Sequence, residues 1–308
     1  MAKVAIVGCG AMGSVYAGLM ASAGHEVYAI SLWQDHVSAM QKNGLRVEGA
    51  SGDRTVPIRA RTTTDGIGPC DLVIIATKAF DVEAAAWVSE QLLDPKTVVQ
   101  TIQNGLGSAE KVATVLGEDR VSVGVVGGFG ASMHAPGHVH HNGMEMIRFC
   151  AYGGLSAEAL ESSAEIWRSA GFKVAIFKDL TRMVWEKLIM NAAFSATTCA
   201  TGMTIGEVMV DPHAWSVAKG CAEEAIAVAN AAGVHLDVGD PIEHIRRLGS
   251  KIPDARPSML LDHNARRRGE VDAINGAIQR EAKTYGIPTP INDTIVAIIK
   301  AREVGFTD

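Results

Sequence analysis

The sequence has few cysteines and no arrangement of them that would build a site. Its 308 residues contain 5 cysteines, and no two of these form a CxxC pair. Scattered thiols in odd number indicate neither a disulfide framework nor a zinc site. His138, His140 and His141 lack a carboxylate or cysteine at ligand spacing, so a hairpin strand is favoured there over a metal site.

Excess positive charge and long apolar runs are also missing. The formal net charge is −6, so no global positive field would hold nucleic acid or an anionic membrane. No apolar run approaches the length of a membrane span, and no charged leader precedes an apolar segment at the N-terminus. We therefore expect a soluble, cytoplasmic protein without a nucleic-acid or membrane partner.

The sequence does have a series of β-branched apolar runs separated by helical stretches. Because 308 residues are more than one compact domain with a single hydrophobic core usually contains, we expect two domains. Residues 1–178 are predicted to form a Rossmann-type α/β domain with a doubly wound parallel sheet, and residues 179–308 an all-helical second domain. The predicted sheet strands are residues 3–7, 26–31, 72–76, 97–102 and 121–126. Residues 44–58 and 136–149 have hairpin character, the latter with Asn142-Gly143 as its turn.

The glycine-rich segment after the first strand predicts a dinucleotide-binding turn. Gly8 permits the tight turn, Gly10 lets a pyrophosphate approach the backbone, and Gly13 lets the next helix pack closely. That helix, predicted over residues 14–23, would turn its N-terminus toward the phosphates, and Ala11 and Met12 complete the predicted contact. A strand before the turn, a helix after it and a second strand favour cofactor binding over a purely structural turn.

The end of the second strand bears on which cofactor binds. An acidic residue there would accept hydrogen bonds from the ribose of NAD and repel the 2′-phosphate of NADP. The chain has Ser31 instead, and no acid occurs before Asp35. Since a serine can donate to a phosphate, NADP is favoured and NAD stays open. No arginine stands in the same segment to pair with the phosphate.

Six motifs in order resemble the ketopantoate reductase (2-dehydropantoate 2-reductase) family across essentially the whole chain. They are the glycine turn, Thr77-Lys78, Gln103-Asn104-Gly105, Trp185-Glu186-Lys187-Leu188 with Asn191, Pro257-Ser258-Met259-Leu260, and Glu270-Val271-Asp272 with Asn275-Gly276. The resemblance implies ketone reduction in a cleft between two domains, as in pantothenate biosynthesis. It implies the following roles: catalytic acid for Lys187, its partner for Glu270, substrate binding for Asn191 and Ser258, and cofactor binding for Lys78 and Asn104.

The chemistry of these residues is compatible with those roles. Hydride attack on a ketone builds negative charge on oxygen, which a positioned ammonium stabilises and then protonates. Lys187 and Asn191 are four residues apart on a predicted helix and so share a face. Residues alone leave other interpretations open: a surface lysine for Lys187, turn residues for Lys78 and Asn104, a first-turn helix acid for Glu270, and an N-cap for Ser258.

Two positions depart from the family pattern. Ser195 stands where the family usually has a second substrate-binding asparagine, and Ala255 where asparagine is frequent. Because both fall on substrate contacts, reduction of a 2-oxo acid is predicted more firmly than reduction of ketopantoate itself. The alternatives are a hydroxy-acid dehydrogenase, an opine-type imine reductase, or an NADP-binding regulatory protein without catalysis. Alanine-rich helices after residue 178 are compatible with either core packing or a homodimer.

Overall fold

We analysed a computed structural model that describes residues 1–128, 130–143 and 145–306. The chain divides into two compact units. The first comprises residues 1–103 and 108–180, and the second comprises residues 104–107 together with the chain from residue 181 onward. The boundary between residues 178 and 179 stays a prediction. The assignment of residues 104–107 to the second unit was not predicted.

The first unit combines twelve strands, five α-helices and two short 3-10 helices (Glu90–Leu92 and Glu118–Arg120) among its described residues. Its strands are β1 (Lys3–Val7), β2 (Glu26–Ile30), β3 (Leu45–Gly49), β4 (Arg54–Val56), β5 (Arg59–Arg61), β6 (Leu72–Ile75), β7 (Val98–Thr101), β8 (Val121–Val126), β9 (Gly130–Ala135), β10 (His138–Gly143), β11 (Met146–Ala151) and β12 (Lys173–Ile176). Its helices are α1 (Ala11–Ser22), α2 (Gln34–Asn43), α3 (Val82–Ser89), α4 (Ser108–Leu116) and α5 (Ala157–Ser169).

Eight of these strands form one sheet in the order β12-β11-β8-β7-β6-β1-β2-β5. The pairings are parallel except between β8 and β11. Alternate residues of β1 point to opposite faces of this sheet. Val4 and Ile6 pack with α1 and α5 on one face. Ala5 and Val7 pack with α3 and α4 on the other. Both faces are therefore covered, which is why the strands are apolar throughout. The predicted doubly wound parallel sheet is confirmed.

A second, four-stranded sheet has the order β4-β3-β10-β9. Residues 44–58 form the predicted hairpin of β3 and β4. The turn predicted at Asn142-Gly143 is wrong, because both residues end β10 and the next strand, β11, belongs to the large sheet. The hairpin of this region joins β9 to β10 through Pro136 and Gly137 instead. Parallel pairing of β3 with β10 unites the two hairpins.

The described part of the second unit contains helices and no strand, as predicted. The helices are α6 (Leu180–Thr201), α7 (Ile205–Val210), α8 (Pro212–Ala231), α9 (Pro241–Gly249), α10 (Ser258–Asn264), α11 (Asn275–Tyr285) and α12 (Pro290–Arg302). Two of them begin with the same local device. Asp211 and Asp240 each accept two backbone N–H groups of the first turn, and each precedes a proline, whose fixed φ suits that position.

The alanine-rich stripe of α8 is used inside the unit. Ala218, Ala222 and Ala225 are at most 1% exposed and pack in the core of the second unit with residues of α6 and α11. These alanines are therefore core residues, and the homodimer stays a prediction. Among the described residues, no helix combines the length and the apolar character needed to cross a bilayer.

Candidate functional site

The glycine turn has the geometry of a phosphate cradle. Gly8 has φ +96°, and a Cβ there would lie 2.4 Å from the Thr77 backbone nitrogen. A Cβ on Gly13 would lie 2.6 Å from the Gly8 carbonyl oxygen, so this glycine allows α1 to approach the turn. Gly10 caps α1 without a side chain, and no acidic residue lies in the helix's first turn. The N–H groups of Ala11, Met12 and Gly13 thus begin a helix whose first turn contains no acidic side chain.

A substitution at Gly10 can distinguish a structural role of the glycine turn from a ligand-binding role. The φ of Gly10 is −87°, and a Cβ there would meet no heavy atom within 4 Å among the described residues. We expect Gly10→Ala to stay folded and to lose at most about 1 kcal/mol of stability, since the added methyl group meets no described atom and the main cost is that of alanine at an N-cap. The same methyl group would occupy the space predicted for a pyrophosphate, so we expect cofactor binding to weaken by about tenfold or more. Fluorescence titration with NADPH tests this, and an unchanged Kd would contradict it.

A buried histidine fixes the start of α1, and the sequence analysis missed it. His36 is fully buried, its Nδ1 accepts the Gly137 N–H at 2.8 Å, and its Nε2 lies 3.0 Å from Ser14 Oγ. Since Nδ1 is an acceptor, the proton of the neutral ring is on Nε2, which donates to Ser14. Burial lowers the pKa of His36. The partners lie 22 and 101 residues away along the chain, too far for any local motif to show.

The lowered pKa of His36 predicts a pH-dependent stability. The unfolded chain binds the proton more readily, so this contribution is complete above the unfolded pKa of about 6.5 and declines as the pH falls below it. Glutamine can accept and donate at the same place without titrating. Wild type should therefore lose more free energy of unfolding than His36→Gln between pH 7.5 and about pH 5 in urea titrations. Equal losses would contradict the assignment.

Three strand ends of the parallel sheet meet at the glycine turn. The backbone N–H groups of Gly8 and Cys9 donate to the Ile30 carbonyl at 3.0 and 2.7 Å, which places Ser31 beside the turn. Thr77 contacts Gly8 from the end of β6, so the turn, Ser31 and Lys78 lie at one edge. This is the carboxyl edge, where open α/β sheets bind ligands.

Gln103 links the ends of neighbouring strands at this edge through side-chain hydrogen bonds. Its Nε2 donates to the carbonyls of Ile75 and Thr77 at 2.8 and 3.1 Å, and its Oε1 accepts the Ile102 N–H. Gln103 therefore holds the backbone that carries Lys78. The sequence contained the residue within a motif but gave no indication of this bracing.

The backbone of Arg61, a basic residue distant in sequence, lies beside Ser31. Arg61 ends β5, which pairs in parallel with β2, and its carbonyl accepts the Ser31 N–H at 3.0 Å. The exposed Arg61 guanidinium lies over the ring of Tyr28, 5.7 Å from its centroid. Only strand pairing brings residues 31 and 61 together, so inspection of the segment around Ser31 could not reveal it.

In the second unit, α6 carries three of the predicted residues on one stripe. Lys187, Asn191 and Ser195 follow at intervals of four, which places them on one helix face. Lys187 and Asn191 are partly buried and Ser195 is 4% exposed. Lys187 is therefore not the freely exposed surface lysine of the alternative interpretation.

The segment 104–107 brings Asn104 to this stripe. Asn191 Nδ2 lies 3.4 Å from Asn104 Oδ1, and the Leu106 N–H donates to the Ala273 carbonyl at 3.0 Å. Gly105 makes the approach possible: its φ is +90°, and a Cβ would lie 1.9 Å from the Ala273 oxygen. Asn104 thus contacts Asn191, a predicted substrate-binding residue, and lies in the same unit as Lys187, the predicted catalytic acid.

The structure does not favour a first-turn helix acid as the role of Glu270, or an N-cap as the role of Ser258. Helix α11 begins only at Asn275 and has no acidic residue in its first turn, and Glu270 is 7% exposed. Ser258 is the first residue of α10, where its hydroxyl makes no capping bond because the cap is Pro257. The segments of both residues meet, since a Cβ on Gly269 would lie 2.8 Å from Met259 Cγ.

Comparisons with known proteins agree with this arrangement. Residues 4–154 match the family described as Ketopantoate reductase PanE/ApbA, and residues 179–303 match its C-terminal part. The 2-dehydropantoate 2-reductase of Archaeoglobus fulgidus is 30% identical over 305 residues, 99% of each chain. A PanE/ApbA family ketopantoate reductase from Ralstonia eutropha superposes with a TM-score of 0.90, at 32% identity over 98% of both chains.

A structural relative with a different printed activity is also similar. D-mandelate dehydrogenase in complex with NADH has a TM-score of 0.89 and 25% identity, covering 99% of this chain and 100% of that one. The same fold therefore occurs in proteins named for a keto acid, ketopantoate, and for a hydroxy acid, D-mandelate. The D-mandelate dehydrogenase is bound to NADH.

Proposed function

The chain belongs to the ketopantoate reductase family, and from that premise we propose that it reduces the ketone of a 2-oxo acid with NADPH. Family membership makes it an oxidoreductase that uses a nicotinamide cofactor and a small keto acid. Ketopantoate, reduced to pantoate, is the first substrate to test. The observation that carries the proposal is the stripe of Lys187, Asn191 and Ser195 with Asn104 beside it.

The residues of the first unit fit a dinucleotide. The space beside Gly10 is free of described atoms, α1 begins without an acid, and Ser31 stands where an NAD-binding carboxylate would stand. We assign Gly8, Gly10 and Gly13 with Ala11 and Met12 to the pyrophosphate. Ser31 is assigned to the 2′-phosphate, with Arg61 as its neighbouring charge. Lys78 completes the proposed cofactor contacts of this unit, and Asn104, in the second unit, is assigned to the cofactor on the family resemblance.

The residues of the second unit are proposed to bind the substrate and move its proton. NADPH, when bound, supplies the hydride. Lys187 donates a hydrogen bond to the ketone oxygen, stabilises the charge that develops there and gives up its proton to form the alcohol. Glu270, a buried carboxylate, holds that ammonium against the ketone group of the substrate. Asn191 orients the same group, and Ser195 and Ser258 hold the polar remainder of the substrate.

Two substrate contacts of the family pattern are changed in this chain. Ser195 is buried on the stripe and is shorter than asparagine, and Ala255 has no polar side chain, so two amide groups of the family pattern are missing. A hydroxy-acid dehydrogenase is the second candidate, and the likeness to D-mandelate dehydrogenase favours it.

Steady-state assays with a substrate panel test the function. NADPH and NADH consumption is measured with ketopantoate, with other 2-oxo acids and with a 2-oxo acid plus an amino acid, and D-mandelate is tested with NAD⁺. We expect turnover of a 2-oxo acid without any amine requirement. Turnover only in the presence of the amine would replace the proposal by an imine reductase. No turnover of any 2-oxo or hydroxy acid would contradict it.

The cofactor assignment predicts the effect of one carboxylate. Ser31→Asp places a negative charge beside the proposed 2′-phosphate, and like charges in contact disfavour binding strongly. We expect kcat/KM for NADPH to fall by at least about tenfold while the value for NADH stays similar or rises. Ser38→Asp, on the neighbouring helix α2, is the matched control and should leave the ratio unchanged. An unchanged ratio in Ser31→Asp would contradict the assignment.

A further inference from the structure

The second sheet of the first unit gathers a histidine–carboxylate cluster that the reaction does not use. Strand β3 pairs with β10 so that Glu48 lies directly opposite His140, and His138 lies opposite Arg46. Strand β9 adds His134, which is the extra residue of a bulge, because His138 pairs with Ala135 and Val139 with Met133. The carboxylate that the sequence analysis did not find near these histidines is thus supplied by a distant strand.

The distances within the cluster match those between ligands of one ion. His134 Nδ1 lies 3.1 Å and His140 Nδ1 3.5 Å from Glu48 Oε1. One nitrogen from each of these rings and a Glu48 oxygen all lie within 4.8 Å of one another. In a tetrahedral zinc site with bonds of about 2.0–2.1 Å, neighbouring ligand atoms are roughly 3.3–3.4 Å apart.

Two histidine ring nitrogens of the cluster lie against the Glu48 carboxylate. His138 Nε2 lies 3.1 Å from Glu48 Oε2, yet neither it nor the buried His140 Nδ1 forms a well-oriented hydrogen bond within the described residues. Arg46 Nη2 contacts Glu48 Oε2 at 3.0 Å and also pairs with Asp53, so Oε1 is the oxygen that faces His134 and His140. The His134 and His140 rings stack at 5.2 Å with planes 17° apart.

We propose that Glu48, His134 and His140 form a binding site for a borderline divalent transition-metal ion such as Zn²⁺, with His138 or water as the fourth ligand. Imidazole nitrogen and carboxylate oxygen are the ligands that such ions prefer. The ion would join β9 and β10 to β3 and so hold the two hairpins of the sheet together. Because it binds the folded chain, it raises the melting temperature as its concentration rises.

Titration of metal-free, untagged protein with Zn²⁺ tests the proposal. Calorimetry should show one ion per chain, and His140→Gln and Glu48→Gln should each weaken binding by about tenfold or more. His213→Gln, an exposed histidine outside the cluster, is the matched control and should bind as wild type does. His134→Gln alters a side chain that is 46% exposed, so it tests the site without disturbing the core.

The outcome does not depend on the reductase proposal, because binding is measured without substrate or cofactor. Circular dichroism and the melting temperature of each metal-free variant establish that it is folded. Wild-type binding that is no tighter than that of His140→Gln and His134→Gln would overturn the site. Equal weakening in the His213→Gln control would likewise identify the binding as adventitious.

Discussion

Replacing Lys187 with alanine is expected to lower kcat by roughly 10²–10⁴-fold, the range that a positioned general acid contributes. Alanine can neither stabilise the charge on the ketone oxygen nor protonate it. The dinucleotide-binding turn lies in the other unit, so the Kd for NADPH should stay within about twofold of wild type. Single-turnover kinetics on the folded variant, with NADPH binding measured separately, distinguish the two effects.

Two further variants show what Lys187 does. Arginine keeps the positive charge but does not release its proton in proteins, so Lys187→Arg should stay well below wild type in kcat. Lys219→Ala is the matched control: it removes an exposed helical lysine paired with Glu223, which is worth little to stability. Normal turnover of Lys187→Ala would eliminate the proton-donor role while leaving the fold and family assignment intact.

Replacing Gly105 with alanine is expected to be the most damaging single-methyl change in segment 104–107. The methyl group would lie 1.9 Å from the Ala273 carbonyl oxygen, a backbone atom that no side-chain rotation can move away. The loop must therefore shift, carrying Asn104 away from Asn191. We expect a loss of at least about 2–3 kcal/mol in the free energy of unfolding. In whatever protein folds, kcat/KM should fall by about 10²-fold.

Gly107 provides the control for this prediction within the same loop. Its φ of +96° is close to that of Gly105, but a Cβ there would meet no heavy atom within 4 Å among the described residues. Both alanine variants therefore share the backbone strain, of order 1–3 kcal/mol, and only Gly105→Ala adds the collision. Chemical denaturation of the pair isolates that collision. Equal stability and equal activity in the two variants would contradict the proposed contact.

Local patterns were enough to predict the glycine turn and five of the eight strands of the large sheet, but not β5, β11 or β12. Strands β1 and β8 have the predicted bounds, because runs of β-branched residues covered on both faces differ clearly from amphipathic helices. Helix α1 begins at Ala11, three residues before the predicted start, because the residues after Gly10 already belong to its first turn. A motif that binds phosphate at a helix N-terminus necessarily includes part of that helix.

Most of the unpredicted features depend on contacts between distant residues. Pairing of β3 with β10 makes one sheet from two hairpins and brings Glu48 to the histidines, about ninety residues along the chain. Arg61 reaches Ser31 through strand pairing, and His36 reaches Gly137 across 101 residues. Neither periodicity nor spacing contains such pairings. The roles of Lys187, Glu270 and Ser258 came from the family resemblance, and their chemical test is still the kinetic one.

Transfer of deuterium from labelled NADPH tests the central claim most directly. The purified protein is given a 2-oxo acid, first ketopantoate, with NADPH carrying deuterium on either hydrogen of the nicotinamide carbon that donates hydride. We expect one of the two labelled preparations to deliver its deuterium to the carbinol carbon of the hydroxy-acid product, as read by mass spectrometry. Hydride transfer by this protein would be contradicted if the hydroxy-acid product lacked deuterium in both experiments. It would also be contradicted if no 2-oxo acid gave a product.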